Sequence, residues 1–151
     1  MERNDQVYQV VAARRIQFDN LLWQVPVLSL TAQAFLFSIA LGDSSRLSRI
    51  IASLLSMATS FLSVQLIAKH RKGEIADAEW LKLYEEAYFP NTRVHGAAFQ
   101  ELRDASSIGG PILTLLTRLS SFKVWTVGLT LFGMVAVFVL LVTVFSPKWF
   151  G

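Results

Sequence analysis

The chain has no cysteine, which excludes a disulfide framework, a thiolate nucleophile and any cysteine-held metal or cluster. Histidine is almost as scarce, with only His70 and His95, and no pattern brings the two together. No Gly-x-Ser-x-Gly elbow and no Walker-type glycine loop occurs, so neither a serine hydrolase nor a P-loop nucleotide site is indicated. Asp104, Ser106 and Ser107 lie near His95 but resemble a hydrolase set by composition alone. Charge is thin as well: 14 Lys+Arg against 11 Asp+Glu leave a net +3, too little for a nucleic-acid surface. The expectation is a protein that is not an enzyme, with no cofactor, no metal and no nucleic-acid partner.

Where charge is absent, apolar residues take over. Hydrophobic residues make up 53% of the chain, and they concentrate in runs at roughly 22–42, 50–68 and 123–146. The only charged residue within these limits is Lys123, at the edge of the third run. Each run is about long enough to cross a ~30 Å hydrocarbon core as a helix. The expected fold is an all-α membrane protein with three transmembrane helices. A tight hairpin (22–42 and 50–68) is followed by a third span (123–146), with an amphipathic N-terminal helix (1–21), a cytoplasmic helical segment (69–122) and a short tail (147–151).

Basic residues set the expected orientation. Arg3, Arg14 and Arg15 precede the first run, and eight more lie between the second and third, from Lys69 through Lys123. Arg46, Arg49 and Lys148 fall on the other side. Eleven against three places the N-terminus in the cytoplasm and the C-terminus outside, in a cytoplasmic (inner) membrane. Ser38-Ile39-Ala40 resembles a cleavage site, but the run before it is long for a signal peptide and the expectation is an uncleaved anchor.

Local signals divide the rest. Val7, Val10, Val11 and Phe18, then Leu21–Leu22, give residues 5–20 one apolar face, expected to form an amphipathic helix that runs along or up to the membrane and continues into the first span, and Trp23 suits the interfacial aromatic belt. Gly42-Asp43-Ser44-Ser45 is a turn, with Ser45 or Ser48 available to cap the next helix. After the Lys69-His70-Arg71-Lys72 cluster, Trp80, Tyr84 and Tyr88 form an aromatic interaction stripe, suited to stacking a base or sugar but more often packed on a neighbouring helix, a protein partner or lipid headgroups. Pro90 ends that helix. Val94, Ala98, Leu102 and Ala105 share a face of a second one, Gly109-Gly110-Pro111 forms a hinge, and residues 112–122 read as an interfacial helix. In the third span Thr126, Thr130 and Gly133 offer a close-packing side between Trp125 and Trp149.

The best-defined constellation is a small, polar seam in the hairpin. Ser53, Ser56, Ser60 and Ser63 recur at intervals of three, four and three, and Gln24, Thr31 and Ser38 are seven apart. Gln24 falls level with Gln65, and Gln33 with Thr59. Such residues let helices approach and bond across the contact. Two readings follow: packing inside one subunit, or the weakly polar lining of a pore in an oligomer. His70, Glu74 and Asp77 share a helical face and suit either a metal or salt bridges with the interleaved basic residues.

Arg14-Arg15 before the first span, the turn from Gly42 to Arg49 and the Lys69–Lys72 cluster together resemble the layout of the SLATT family. The likeness covers about residues 10–90, and the third span departs from that family's basic two-span plan. The resemblance implies a small bacterial membrane effector that assembles and forms pores in nucleotide-linked or phage-defence systems. The stretch around Trp23-Gln24-Val25-Pro26 is also similar to uncharacterised small membrane proteins of high-GC Gram-positive bacteria. The functional expectation is a self-associating, pore-forming or channel-like membrane protein. It is a homo-oligomer in the lipid bilayer, with room for a protein partner at the cytoplasmic helices. The alternative is an accessory or scaffold subunit of a larger membrane complex.

Overall fold

The computed structural model describes residues 2–89 and 119–146. Those residues are helical, with no strand among them: α1 is Glu2–Leu41, α2 is Arg46–Tyr88 and α3 is Ser121–Phe145. All three are long and apolar enough to cross a membrane. The second cytoplasmic helix, the glycine hinge, most of the interfacial helix and the tail expected from the sequence lie outside the described residues.

Two sequence boundaries are not breaks in the backbone. The N-terminal helix and the first span are one 40-residue helix, and the second span runs on through Lys69-His70-Arg71-Lys72 to make a helix of 43 residues. Nothing at Asn20–Trp23 interrupts a helix, and Gly73 alone costs only about 1 kcal/mol. Pro26 sits inside α1, fully buried. It removes one N–H from the helical ladder, an interruption that membrane helices tolerate when neighbours pack around it.

The chain forms two compact units. Met1–Leu22 with Lys69–Ser121 make one, and Trp23–Ala68 with Phe122–Gly151 the other. The first holds most of the charge and the second the three apolar runs.

In the apolar unit the turn is built as its residues suggest. A Cβ on Gly42 would lie 2.5 Å from the Ser38 carbonyl oxygen, so a larger residue there strains the end of α1. Ser45 caps α2, its Oγ accepting the Ser48 N–H at 3.2 Å. Arg49 donates to the Gly42 carbonyl at 3.0 Å and Arg46 to the Val144 carbonyl at 2.9 Å. Both guanidiniums therefore serve the C-terminal ends of helices, where carbonyls lack partners and the helix dipole is negative.

The inward positions of α2 in this unit are Arg49, Ser53, Ser56, Ser60, Ser63 and Ile67, all buried. Their 4-3-4-3-4 spacing is that of coiled-coil packing. In the same unit α1 buries Pro26, Ser29, Gln33 and Ala40, and α3 buries Leu129, Ala136, Val139 and Thr143. Ala40, Ala52 and Val139 form the apolar cluster, flanked by Phe37 and Ile39. The outside is the reverse: Leu28, Phe35, Phe61, Leu62, Met134 and Phe138 are each more than half exposed. A hydroxyl-rich interior under an apolar exterior fits a bundle surrounded by hydrocarbon.

On α3 the close-packing side is only partly where spacing put it. Thr130 is exposed and donates to the Thr126 carbonyl of its own helix at 2.8 Å. Gly133 is the contact: a Cβ built there would stand 3.1 Å from the Ser60 Cβ. Gly133→Leu should therefore separate α3 from α2, while Thr130→Leu should leave the unit's stability within about 0.5 kcal/mol of the parent. Unfolding titrations in micelles check both, and equal effects would contradict the packing described.

Candidate functional site

The polar seam centres on Gln33, which is completely buried. Its amide nitrogen donates to the Ser56 carbonyl at 2.9 Å and to Ser60 Oγ at 2.8 Å. Its carbonyl oxygen accepts from the Ser56 hydroxyl. One helical turn earlier on α1, Ser29 Oγ lies 2.5 Å from Ser63 Oγ. Polar atoms buried in an apolar surround are costly unless paired, and these side chains pair with one another across α1 and α2. Ser53 is the exception: its Oγ is buried without a hydrogen-bond partner.

Of the seam residues read from the sequence, Gln33, Ser53, Ser56, Ser60 and Ser63 are buried together, while Thr59 is half-buried. Gln33 instead reaches Ser56, three positions before Thr59, and Ser60, one position after it. Gln24, Thr31 and Gln65 are exposed. The reason is angular. Each sits two residues from a buried position (Pro26, Ser29 or Gln33, and Ser63 or Ile67), and two residues turn a helix by about 200°. Thr31 and Ser38 instead return their hydroxyls to their own helix, at the Val27 and Phe35 carbonyls. Sequence reading missed Ser29, although its spacing of three from Pro26 and four from Gln33 belongs to the same repeat.

The charged unit holds a ladder between α1 and α2. Arg14 Nε donates to Asp77 Oδ2 at 2.8 Å and a terminal nitrogen to Oδ1 at 2.5 Å. Arg15 lies 3.5 Å from Glu74, which also takes Arg71 of its own helix. The Tyr8 hydroxyl donates to Glu85 at 2.9 Å and that of Tyr84 to Asp5 at 3.3 Å. Glu74, Asp77 and Glu85 are buried, together with Leu81 and Val11. The Asp77 hydrogen bond and charge raise the Arg14 pKa against a small opposing desolvation. Burial, and then the bond to Glu85, raises that of Tyr8, and burial and then the bond to Asp5 raises that of Tyr84.

Of the two uses weighed for His70, Glu74 and Asp77, salt bridging is the one seen at Glu74 and Asp77. Both carboxylates face arginines from α1, and the His70 ring packs 5.9 Å from Phe18. No group of three metal-ligating side chains occurs among the described residues. The aromatic stripe stacks along α2, Trp80 on Tyr84 at 5.4 Å and Tyr84 on Tyr88 at 4.6 Å, with Tyr8 of α1 joining Tyr84 at 5.2 Å. Trp80 and Tyr88 keep exposed faces.

The fold and site define a helical, multi-pass type of membrane protein with an internally bonded polar core. No family model, no curated protein and no solved structure matches the chain.

Proposed function

We propose that this chain is a small integral membrane protein serving as an accessory or scaffold subunit of a membrane complex. Residues 22–42 and 50–68 form its tight transmembrane hairpin, clasped internally by the polar seam. The observation that carries this reading is the bonding of Gln33 to Ser56 and Ser60 of the same chain. Side chains that bond each other across α1 and α2 are engaged in holding one subunit together rather than facing a pore. In this reading a protein partner docks on the helices outside the bilayer, where Trp80 and Tyr88 stand exposed. The N-terminus and residues 69–122 are cytoplasmic and the C-terminus external. Engagement of Arg46 and Arg49 by helix carbonyls accounts for cations on the outer side.

A second reading has one observation in its favour. Gln24, Thr31 and Ser38 lie with Ala34 on the exposed face of α1, which offers a small, polar surface to other copies. A bacterial homo-oligomer joined there would form a pore, as the SLATT-like layout implies. Native mass spectrometry of the purified chain in nanodiscs, with conductance of the same particle in planar bilayers, separates the two. The scaffold reading expects a single copy that does not conduct. A discrete ring of several copies whose conductance changes with Thr31→Leu would overturn it.

A further inference from the structure

Among the described residues of the charged unit, Arg14, Arg15, Lys69, Arg71, Lys72 and Lys82 fall into two groups. Arg14 is held by Asp77, Arg15 and Arg71 share Glu74, and Lys82 reaches Glu79. Lys69 and Lys72 differ: both are exposed, and no carboxylate among the described residues lies within ion-pairing distance of either. They are three residues apart on α2, so their ammonium groups project from one face of the helix. They also follow directly on the charge-free stretch that ends at Ala68, the level at which a spanning helix reaches lipid headgroups. Arg14 has Asp77, Arg15 and Arg71 have one carboxylate between them, and Lys69 and Lys72 have none among the described residues, so positive charge is in excess here.

We propose that Lys69 and Lys72 form a binding site for the headgroup of an anionic phospholipid, whose phosphate sits between the two ammonium groups. Charge complementarity selects this occupant. An anionic headgroup neutralises a pair of like charges that the protein leaves uncompensated, and each lysine near such a surface strengthens the attraction about fivefold. A phosphate at the end of the span also fixes the depth of α2. The site serves a scaffold and a pore-former equally, and rests only on residues 50–68 crossing the bilayer.

The test counts lipids retained by native mass spectrometry after release from nanodiscs of mixed phosphatidylglycerol and phosphatidylcholine. The parent chain should retain phosphatidylglycerol preferentially, and less so as ionic strength rises. K69Q/K72Q should lower that preference by about thirtyfold, K69R/K72R should keep it, and K82Q should match the parent. Retention of the full preference by K69Q/K72Q, or an equal loss in K82Q, would overturn the site. Insertion of every variant into pure phosphatidylcholine nanodiscs is measured alongside. A chain that inserts but shows no preference defeats this inference alone, and a chain that does not insert defeats the membrane reading beneath it.

Discussion

Gln33→Ala is expected to destabilise the apolar unit by about 2–3 kcal/mol. Two effects add. The substitution removes the bonds to Ser56 and Ser60, and it leaves a void at a position with no exposure. Hydrogen bonds between membrane helices average well below the value suggested by the cost of burying polar atoms, because the separated helices also find partners. Gln33→Leu, which keeps most of the volume, should therefore cost only about 1 kcal/mol. Reversible unfolding in bicelles reads both. A Gln33→Ala variant within about 0.5 kcal/mol of the parent would mean that the seam contributes little.

Charge reversal at Asp77 should release the start of α1 from α2. Simple truncation is the milder change, since the Arg14 side chain is 55% exposed and can return to water, so Asp77→Ala should cost under about 1 kcal/mol. Asp77→Arg is different. It places a guanidinium in a buried position facing Arg14, with Arg15 and Arg71 close by on Glu74, and should cost about 2 kcal/mol or more. Hydrogen exchange at Val11 and Phe18 should accelerate at least about tenfold, and R14E/D77R should restore protection. Unchanged exchange in Asp77→Arg would show that the ladder does not hold the helices together.

The three apolar helices were legible in the sequence because hydrocarbon imposes a length and excludes charge, and residues 22–42, 50–68 and 123–146 satisfy both. The serine repeat of α2 was legible for a related reason, since 53, 56, 60 and 63 keep to one face at helical spacing. The facing side of α1 was harder. Gln24, Thr31 and Ser38 repeat every seven residues as cleanly as any buried set, and spacing alone does not say which face meets the neighbour. Ser29 and Gln33 win that face because Pro26 and Ala40 share it, and small or ring-closed residues admit the closest approach. The ladder from Arg14 and Arg15 to Asp77 and Glu74 joins residues about sixty apart. The running-on of the N-terminal helix into the first span was expected from the sequence, whereas α2 also runs unbroken through Lys69-His70-Arg71-Lys72, a continuity that no local signal carries.

The polar seam joins spans of one and the same chain, and because that chain has no cysteine the test is direct: S29C/S63C, built at the 2.5 Å hydroxyl contact, is oxidised in membranes and resolved on a non-reducing gel. A disulfide should form within the monomer, and no cross-link should form when chains carrying S29C alone and S63C alone are mixed in one membrane. A cross-linked dimer from the mixed chains would contradict it and make the seam an interface between copies.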